Sequence, residues 1–241
     1  MISPLVFLHG VSGLLSDDAF LERLASRYRV YAHELPGYGE STGEELLENM
    51  LDFALHGWDV VAALRLERPH LVGHSLGGMI AAEMAAIAPN DVGKLVLVGA
   101  AGLWLPEHPV PDLFSCFLPQ DYARLLFRDA DAGQAMLVGG MDFSSMEALA
   151  EFYITNSRRM ATAGKLLFPI PNRHVTKRLY RVTAETLVLW GEEDRLMPPV
   201  YGEKWRALIA GARLVQIAGA GHMLPYEQPD AFIAALSSFL G

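Results

Sequence analysis

The stretch from which the rest of the chain can be read is His70-Leu71-Val72-Gly73-His74-Ser75-Leu76-Gly77-Gly78-Met79. Leu71 and Val72 belong to a short apolar run, and residues 76–88 form an Ala-rich helical pattern stopped by Pro89. Gly73, Ser75 and Gly77 therefore fall on a turn from strand to helix, the context that a G-x-S-x-G nucleophile elbow requires. The reason is steric. A serine on so tight a turn adopts a strained backbone conformation that lifts its hydroxyl clear of the sheet. Side chains two residues before and after it would collide, so glycine is expected at 73 and 77. The turn also sets Ser75 at a helix start, where the Leu76 N–H points at any developing anion.

Outward from this turn the chain alternates strand-like and helix-like segments. Short apolar or β-branched runs occur at residues 5–8, 29–32, 70–73, 95–99, 186–190 and 213–217. Each is nearly continuous in its apolar character, as in a parallel strand covered on both faces. Between them, Ser16 can cap a helix through Phe20, Leu21 and Leu24, with Asp17 and Asp18 at its positive end. Thr42 and Glu45 have capping-box spacing before Leu46, Leu47, Met50 and Leu51. The fold class expected is α/β, a mostly parallel sheet with helices on both faces.

The alternation stops after Gly102, where Pro106, Pro109, Pro111 and Pro119 interrupt the chain, and strand character returns only at Thr186. Residues 103–182 read as a helical insertion, a lid over the sheet, with residues 1–102 and 183–241 forming the core domain. The insertion holds ten of the chain's 23 aromatic residues. Most of these are expected in its own small core, and a few must face the cleft. Trp104, Phe114, Phe117 and Phe143 are the candidates there, with Met223 from the core.

A serine hydroxyl needs a base. Of eight histidines, His222 lies in a Gly-rich loop, Gly219-Ala220-Gly221-His222-Met223, after the last strand, so it emerges at the same sheet edge as Ser75. The third member is expected on the loop after the preceding strand, in Gly191-Glu192-Glu193-Asp194-Arg195. Three acids compete there. Asp194 is preferred because the turn at Gly191 lets it reach inward, while Glu192 and Glu193 point to water.

Composition narrows the function. With 19 Lys plus Arg against 28 Asp plus Glu, the net charge is −9, which disfavours general nucleic-acid binding. The single cysteine, Cys116, excludes an internal disulfide and a cysteine-rich zinc site. No apolar run reaches the ~18 residues of a membrane span. The N-terminus has no basic segment ahead of its first apolar run, so no cleavable signal peptide is expected and a cytoplasmic protein is the default. One local asymmetry stands out. Residues 152–184 contain no Asp or Glu, yet hold Arg158, Arg159, Lys165, Arg173, Lys177, Arg178 and Arg181. These either pair with the core or are solvated, or else part of the patch rims the cleft and attracts anionic substrates.

The chain resembles the α/β-hydrolase superfamily from its first strand to its last helix. The matching pieces are Leu8-His9-Gly10, Leu35-Pro36-Gly37-Tyr38-Gly39-Glu40-Ser41, Gly73-His74-Ser75-Leu76-Gly77-Gly78, Gly191-Glu192-Glu193-Asp194 and Gly221-His222. The resemblance implies Ser75 as nucleophile, His222 as general base and Asp194 as the group orienting the imidazole. It also implies an oxyanion hole made by the backbone N–H groups of Val11 and Leu76. Relatives usually carry two further strands before the one matching residues 4–8. Their lack would leave the strand at 29–32 as a sheet edge, where a homodimer partner or a covering lid or loop segment is expected.

The resemblance further implies a serine hydrolase of carboxylic esters, acting on a small-molecule ester without metal or organic cofactor. Dehalogenases and epoxide hydrolases need a carboxylate where Ser75 stands. Carbon–carbon bond hydrolases of ring-cleavage dienones remain open, although they typically carry tryptophan after the catalytic histidine, where Met223 stands here. An acyl thioesterase also remains open. A non-enzymatic receptor of this fold usually lacks a triad member, and none is missing.

Overall fold

The computed structural model describes residues 3–15, 18–139, 141, 145–168 and 175–241. Six strands, β1 (Pro4–Leu8), β2 (Arg29–Ala32), β3 (His70–His74), β4 (Lys94–Val98), β5 (Glu185–Gly191) and β6 (Arg213–Ile217), form one sheet in the order β2-β1-β3-β4-β5-β6. Every pairing is parallel. The helices are α1 (Ala19–Ala25), α2 (Met50–Ala63), α3 (Leu76–Ile87), α4 (Pro119–Leu126), α5 (Ala130–Val138), α6 (Met146–Leu167), α7 (Val200–Leu208), α8 (Leu224–Glu227) and α9 (Pro229–Leu240).

Strand periodicity divides the core into two layers. Leu5, Phe7, Val72, Val96, Val98, Leu187 and Leu189 pack with Phe20 and Leu24 of α1 and with Phe232, Leu236 and Phe239 of α9. Their strand neighbours Val6, Leu8, Leu71, Leu95, Leu97, Val188 and Trp190 face the opposite way, against α2, α3 and α7. Each fully buried side chain of this size contributes roughly 1.5–3 kcal/mol of transfer free energy. The inner strands β1, β3, β4 and β5 are covered on both faces and need continuous apolar sequence, which is why they stand out in it. The edge strands β2 and β6 depart from that expectation and are partly exposed.

The strand order places the site. From β1 the chain crosses to β2 on one side, and from there to β3 on the other side of β1. The loops after β1 and β3 thus diverge, leaving a crevice at the carboxyl ends of the strands, where ligands bind in open α/β sheets. Leu8 and Gly73 are register partners across this point, so Val11 and Ser75 emerge side by side. Between β4 and β5 run α4, α5 and α6, with short 3₁₀ turns before and after them.

Two local expectations change. The helix start assigned to Thr42 and Glu45 is a 3₁₀ turn, Glu44–Leu46, after Gly43 at φ 95°. Helix α2 begins later, capped by Asn49, whose side chain accepts from Leu51 N–H while Asp52 reaches back to Asn49 N–H. Leu46 and Leu51, read there as an apolar face, are mostly exposed, and the buried face is Phe53, Ala54, Gly57 and Val61. Ser16 and Asp17 lie outside the described residues, while Asp18 is the N-cap of α1 and makes no side-chain cap bond. The edge position of β2 is as expected: among the described residues it pairs only with β1.

The need for glycine at the turn has a more specific cause than mutual collision. A Cβ on Gly73 would stand 2.3 Å from the Gly77 carbonyl oxygen, whereas one on Gly77 would stand 2.0 Å from that of Leu8. Position 77 is therefore constrained by β1. Gly77→Ala is expected to cost about 1–3 kcal/mol or more, because backbone must move. Gly164, within α6, has only Phe114 near its missing Cβ, at 3.9 Å. Gly164→Ala should instead stabilise by up to about 1 kcal/mol by removing helix-interior glycine. Denaturant midpoints of the two variants should move in opposite directions.

Candidate active site

Ser75 sits at φ 53°, ψ −115°, a conformation side-chain-bearing residues rarely adopt. Its backbone is held from both sides: its N–H donates to Val98 O at 2.8 Å, and its carbonyl accepts from Ala101 N–H at 3.0 Å. Helix α3 starts at the next residue and is buried almost all round. The hydroxyl is thus fixed at the mouth of the crevice by a strand, a helix and a cross-strand loop.

The structure brings together the three residues singled out from the sequence. The Ser75 hydroxyl donates to His222 Nε2 at 2.8 Å, and His222 Nδ1–H donates to Asp194 Oδ2 at 2.8 Å. The direction follows from chemistry, because a carboxylate can only accept, which leaves Nε2 as the acceptor. All three side chains are buried. Asp194 is anchored by its other oxygen, Oδ1, which accepts from Leu196 N–H at 3.0 Å and Met197 N–H at 2.7 Å. Glu192 and Glu193 are exposed, and Glu193 pairs with Arg128 at 2.7 Å.

His222 is held by its backbone. Its N–H and that of Met223 both donate to the Leu126 carbonyl, at 2.9 and 3.2 Å, at the end of α4. Gly221 N–H donates to Glu227 Oε2 at 2.8 Å, while the other oxygen of Glu227 accepts from Arg128 N–H at 2.6 Å. Burial, reinforced by the nearby Asp194 charge, raises the Glu227 carboxyl above its ordinary range. His74 Nε2–H donates to the His222 carbonyl at 2.9 Å. Beneath β1, His9 Nδ1–H donates to Gly10 O at 2.8 Å, and Nε2 accepts from Leu35 N–H at 3.0 Å. Burial pushes His9 down to about 4 and His74 down to about 3, so both are neutral spacers near pH 7.

Two cavities meet at Ser75. One is lined by Val11, His74, Ser75, His222 and Met223 of the core together with Leu126 and Arg159. The other, more apolar, is lined by Ser75, Met79, Trp104, Phe114, Leu167 and Met197. The Val11 and Leu76 N–H groups form no hydrogen bond among the described residues. Of the candidate contact residues, Trp104 and Phe114 line the second cavity and Met223 the first. Phe117 lines neither, being 71% exposed and outside both cavities. It follows the 3₁₀ turn Leu113–Ser115, whose buried residue is Leu113. Phe143 lies outside the described residues. The sequence reading missed His74, Glu227 and the Leu126 carbonyl. The spacing from His222 to Glu227, just before Pro229, is a signal for the second, whereas a backbone carbonyl leaves none.

Comparison with known proteins covers nearly the whole chain. A family model described as the alpha/beta hydrolase family matches residues 5–235. The chain is 29% identical over 229 residues to a 2-hydroxy-6-oxo-6-phenylhexa-2,4-dienoate hydrolase of Comamonas testosteroni, covering 88% of this chain and 77% of that protein. It is 29% identical over 248 residues to a dihydrolipoyllysine-residue acetyltransferase component of the acetoin cleaving system of Cupriavidus necator. That match spans 98% of this chain but 63% of the relative's length. Among solved structures, a bacterial membrane phospholipase A superposes with a TM-score of 0.80 at 25% identity, over 99% of this chain and 78% of that one.

The buried histidines set an acid limit. Each has a folded pKa below its unfolded value of 6.5, so the unfolded chain binds the additional proton. Their stabilising contribution is complete above pH 6.5 and is lost as pH falls toward about 4 for His9 and about 3 for His74. Denaturant midpoints should decline across that window. His74→Gln, which can still donate to the His222 carbonyl, should flatten part of the decline, and an unchanged slope would count against His74 as a contributor.

Proposed function

The chain belongs to the alpha/beta hydrolase family, and from that membership we propose that it is a serine hydrolase of carboxylic esters with largely apolar substrates. Ser75 Oγ attacks the acyl carbon as His222 Nε2 takes the hydroxyl proton. Asp194 stays ionised and holds the imidazolium. The tetrahedral oxyanion accepts from the Val11 and Leu76 N–H groups. When the acyl–oxygen bond breaks, His222 returns the proton to the leaving alcohol. Water then attacks the acyl-serine, gives its proton to His222, and releases the acid as Ser75 is reprotonated. Residues 103–182 act as the cap that closes over the substrate.

The observation that carries this reading is the unbroken chain Ser75–His222–Asp194, with both links at 2.8 Å, beside a cavity lined by Ser75, His222 and Val11. The Val11 and Leu76 N–H groups have no hydrogen-bond partner among the described residues. Such donors, preorganised where charge develops, are each worth about 10²–10³ in rate. The likeness to a dienoate hydrolase supports a second reading, carbon–carbon bond hydrolysis with the same residues. Turnover of nitrophenyl esters of graded acyl length, run beside a ring-cleavage dienone, separates the two. Ester preference is expected, and a clear dienone preference would overturn the ester assignment.

Ser75→Ala should fold and lose about 10⁴-fold or more in kcat, since members of such a unit act together. A serine-directed phosphonate should label the parent at Ser75 alone; labelling elsewhere would sink the assignment. Asp194→Asn should cost several powers of ten, because the imidazole then loses its tautomer and its counter-charge. Glu192→Gln and Glu193→Gln should stay within a few-fold of the parent.

A further inference from the structure

The basic run noted in the sequence resolves unevenly. Arg158 is held by Glu44 at 2.7 Å and by the Ser41 carbonyl at 2.7 Å. Lys165 donates to the carbonyls of Glu44 and Leu47. Arg178 pairs with the buried Glu83 at 2.5 Å, and Arg181 donates to Ala86 O at 2.6 Å. These four fasten their segments to the core, Lys177 is exposed, and Arg173 lies outside the described residues.

Arg159 differs. It projects from α6 into the cavity that holds Ser75 and His222. Among the described residues its side chain has no hydrogen-bond or ion-pair partner, and its Nε is buried. The carboxylate of Glu34, which acts on it at longer range, is bound by Glu40 N–H at 3.2 Å. Desolvation lowers the Arg159 pKa, yet a guanidinium remains charged in proteins. Removing a cation from water without a partner is costly, and an anion offered in the same cavity would recover much of that cost. Guanidinium also presents a planar fork that matches a carboxylate.

We propose that Arg159 binds a carboxylate on the leaving-group half of the substrate, so that the enzyme prefers esters whose alcohol or phenol carries an acid. The polarity of the two cavities assigns the halves. The leaving oxygen must receive its proton from His222, and His222 lines the cavity with Arg159. The second cavity contains Ser75 but not His222, and its apolar lining of Met79, Trp104 and Phe114 suits the acyl chain. This assignment rests on the ester-hydrolase reading for its leaving group, whereas the anion site itself rests only on Arg159 and the cavity.

The test uses the butyrate esters of meta-hydroxybenzoate and meta-hydroxybenzamide, which differ in charge at one position. The ratio of their kcat/KM values should favour the carboxylate by about tenfold or more, the scale of a charge-assisted contact. Arg159→Met should abolish that preference and Arg159→Lys should retain part of it. The exposed Lys177→Gln should keep the parental ratio. In parallel, calorimetry on Ser75→Ala measures binding of meta-hydroxybenzoate against meta-hydroxybenzamide, independent of turnover. Selective binding that is lost on adding Arg159→Met supports the site even if neither ester is hydrolysed, in which case the ester reading alone falls. An equal kcat/KM ratio in parent and Arg159→Met, or binding that does not distinguish acid from amide, overturns the proposal.

Discussion

The contact on which the rest depends is the approach of the α3 start to the end of β1. Gly77 lies so close to the Leu8 carbonyl that even a methyl group would sit 2.0 Å from it. That approach aligns the loop after β1 with the turn after β3, so Val11 and Ser75, distant in sequence, line the same cavity. It also explains why the strain at Ser75 persists. A φ of 53° with ψ −115° costs about 1–3 kcal/mol, and only a neighbourhood that leaves no alternative retains it. Val98, Ala101 and the buried body of α3 supply that neighbourhood.

A second constraint joins the helical segment to the chemistry. The last turn of α4 has carbonyls without helical partners, and these accept from the site itself. Leu126 takes the N–H groups of His222 and Met223, while Arg195, next to Asp194, donates to the carbonyls of Arg124 and Phe127. Glu227 completes the arrangement by accepting from Gly221 on one side and Arg128 on the other. The loops carrying Asp194 and His222 are therefore oriented by the segment that also walls the cavity. At the opposite end, Arg158 and Lys165 fasten α6 to the loop before α2. A helical segment tied at both ends in this way can shape a cavity to fixed dimensions, which suits selection by chemical complementarity better than by wholesale rearrangement.

Electrostatics divide the interior into histidines that stay neutral and side chains that carry charge. His9 and His74 satisfy backbone groups as uncharged rings, so their burial is tolerable. Asp194 is charged but accepts three hydrogen bonds. Arg159 has no such compensation in the described residues, and it is the group that faces the space a ligand would fill. The contrast between satisfied and unsatisfied polar groups is what distinguishes supporting residues from a recognition element here.

Much of this was legible in the linear order of residues. The four inner strands are short apolar runs because both their faces are covered, whereas the edge strands β2 and β6 stay partly exposed. Ser75, Asp194 and His222 follow strands β3, β5 and β6, so all emerge at the same edge. Asp194 could be chosen over Glu192 and Glu193 for its inward reach, and it is the buried one of the three. Tertiary structure decided what depends on pairs distant in sequence. The start of α2 moved from Thr42 to Asn49 because Asn49 and Asp52 exchange cap bonds, and Phe53, Ala54, Gly57 and Val61 are the face that packs inward. Phe117 turned to solvent, whereas Trp104 and Phe114 turned to the cavity, a choice that composition cannot express. Four cations of the basic run found partners from the core and Arg159 did not. A sequence records which side chains are apolar, strained or charged, but whether a charge is compensated depends on what the fold brings within about 3 Å of it.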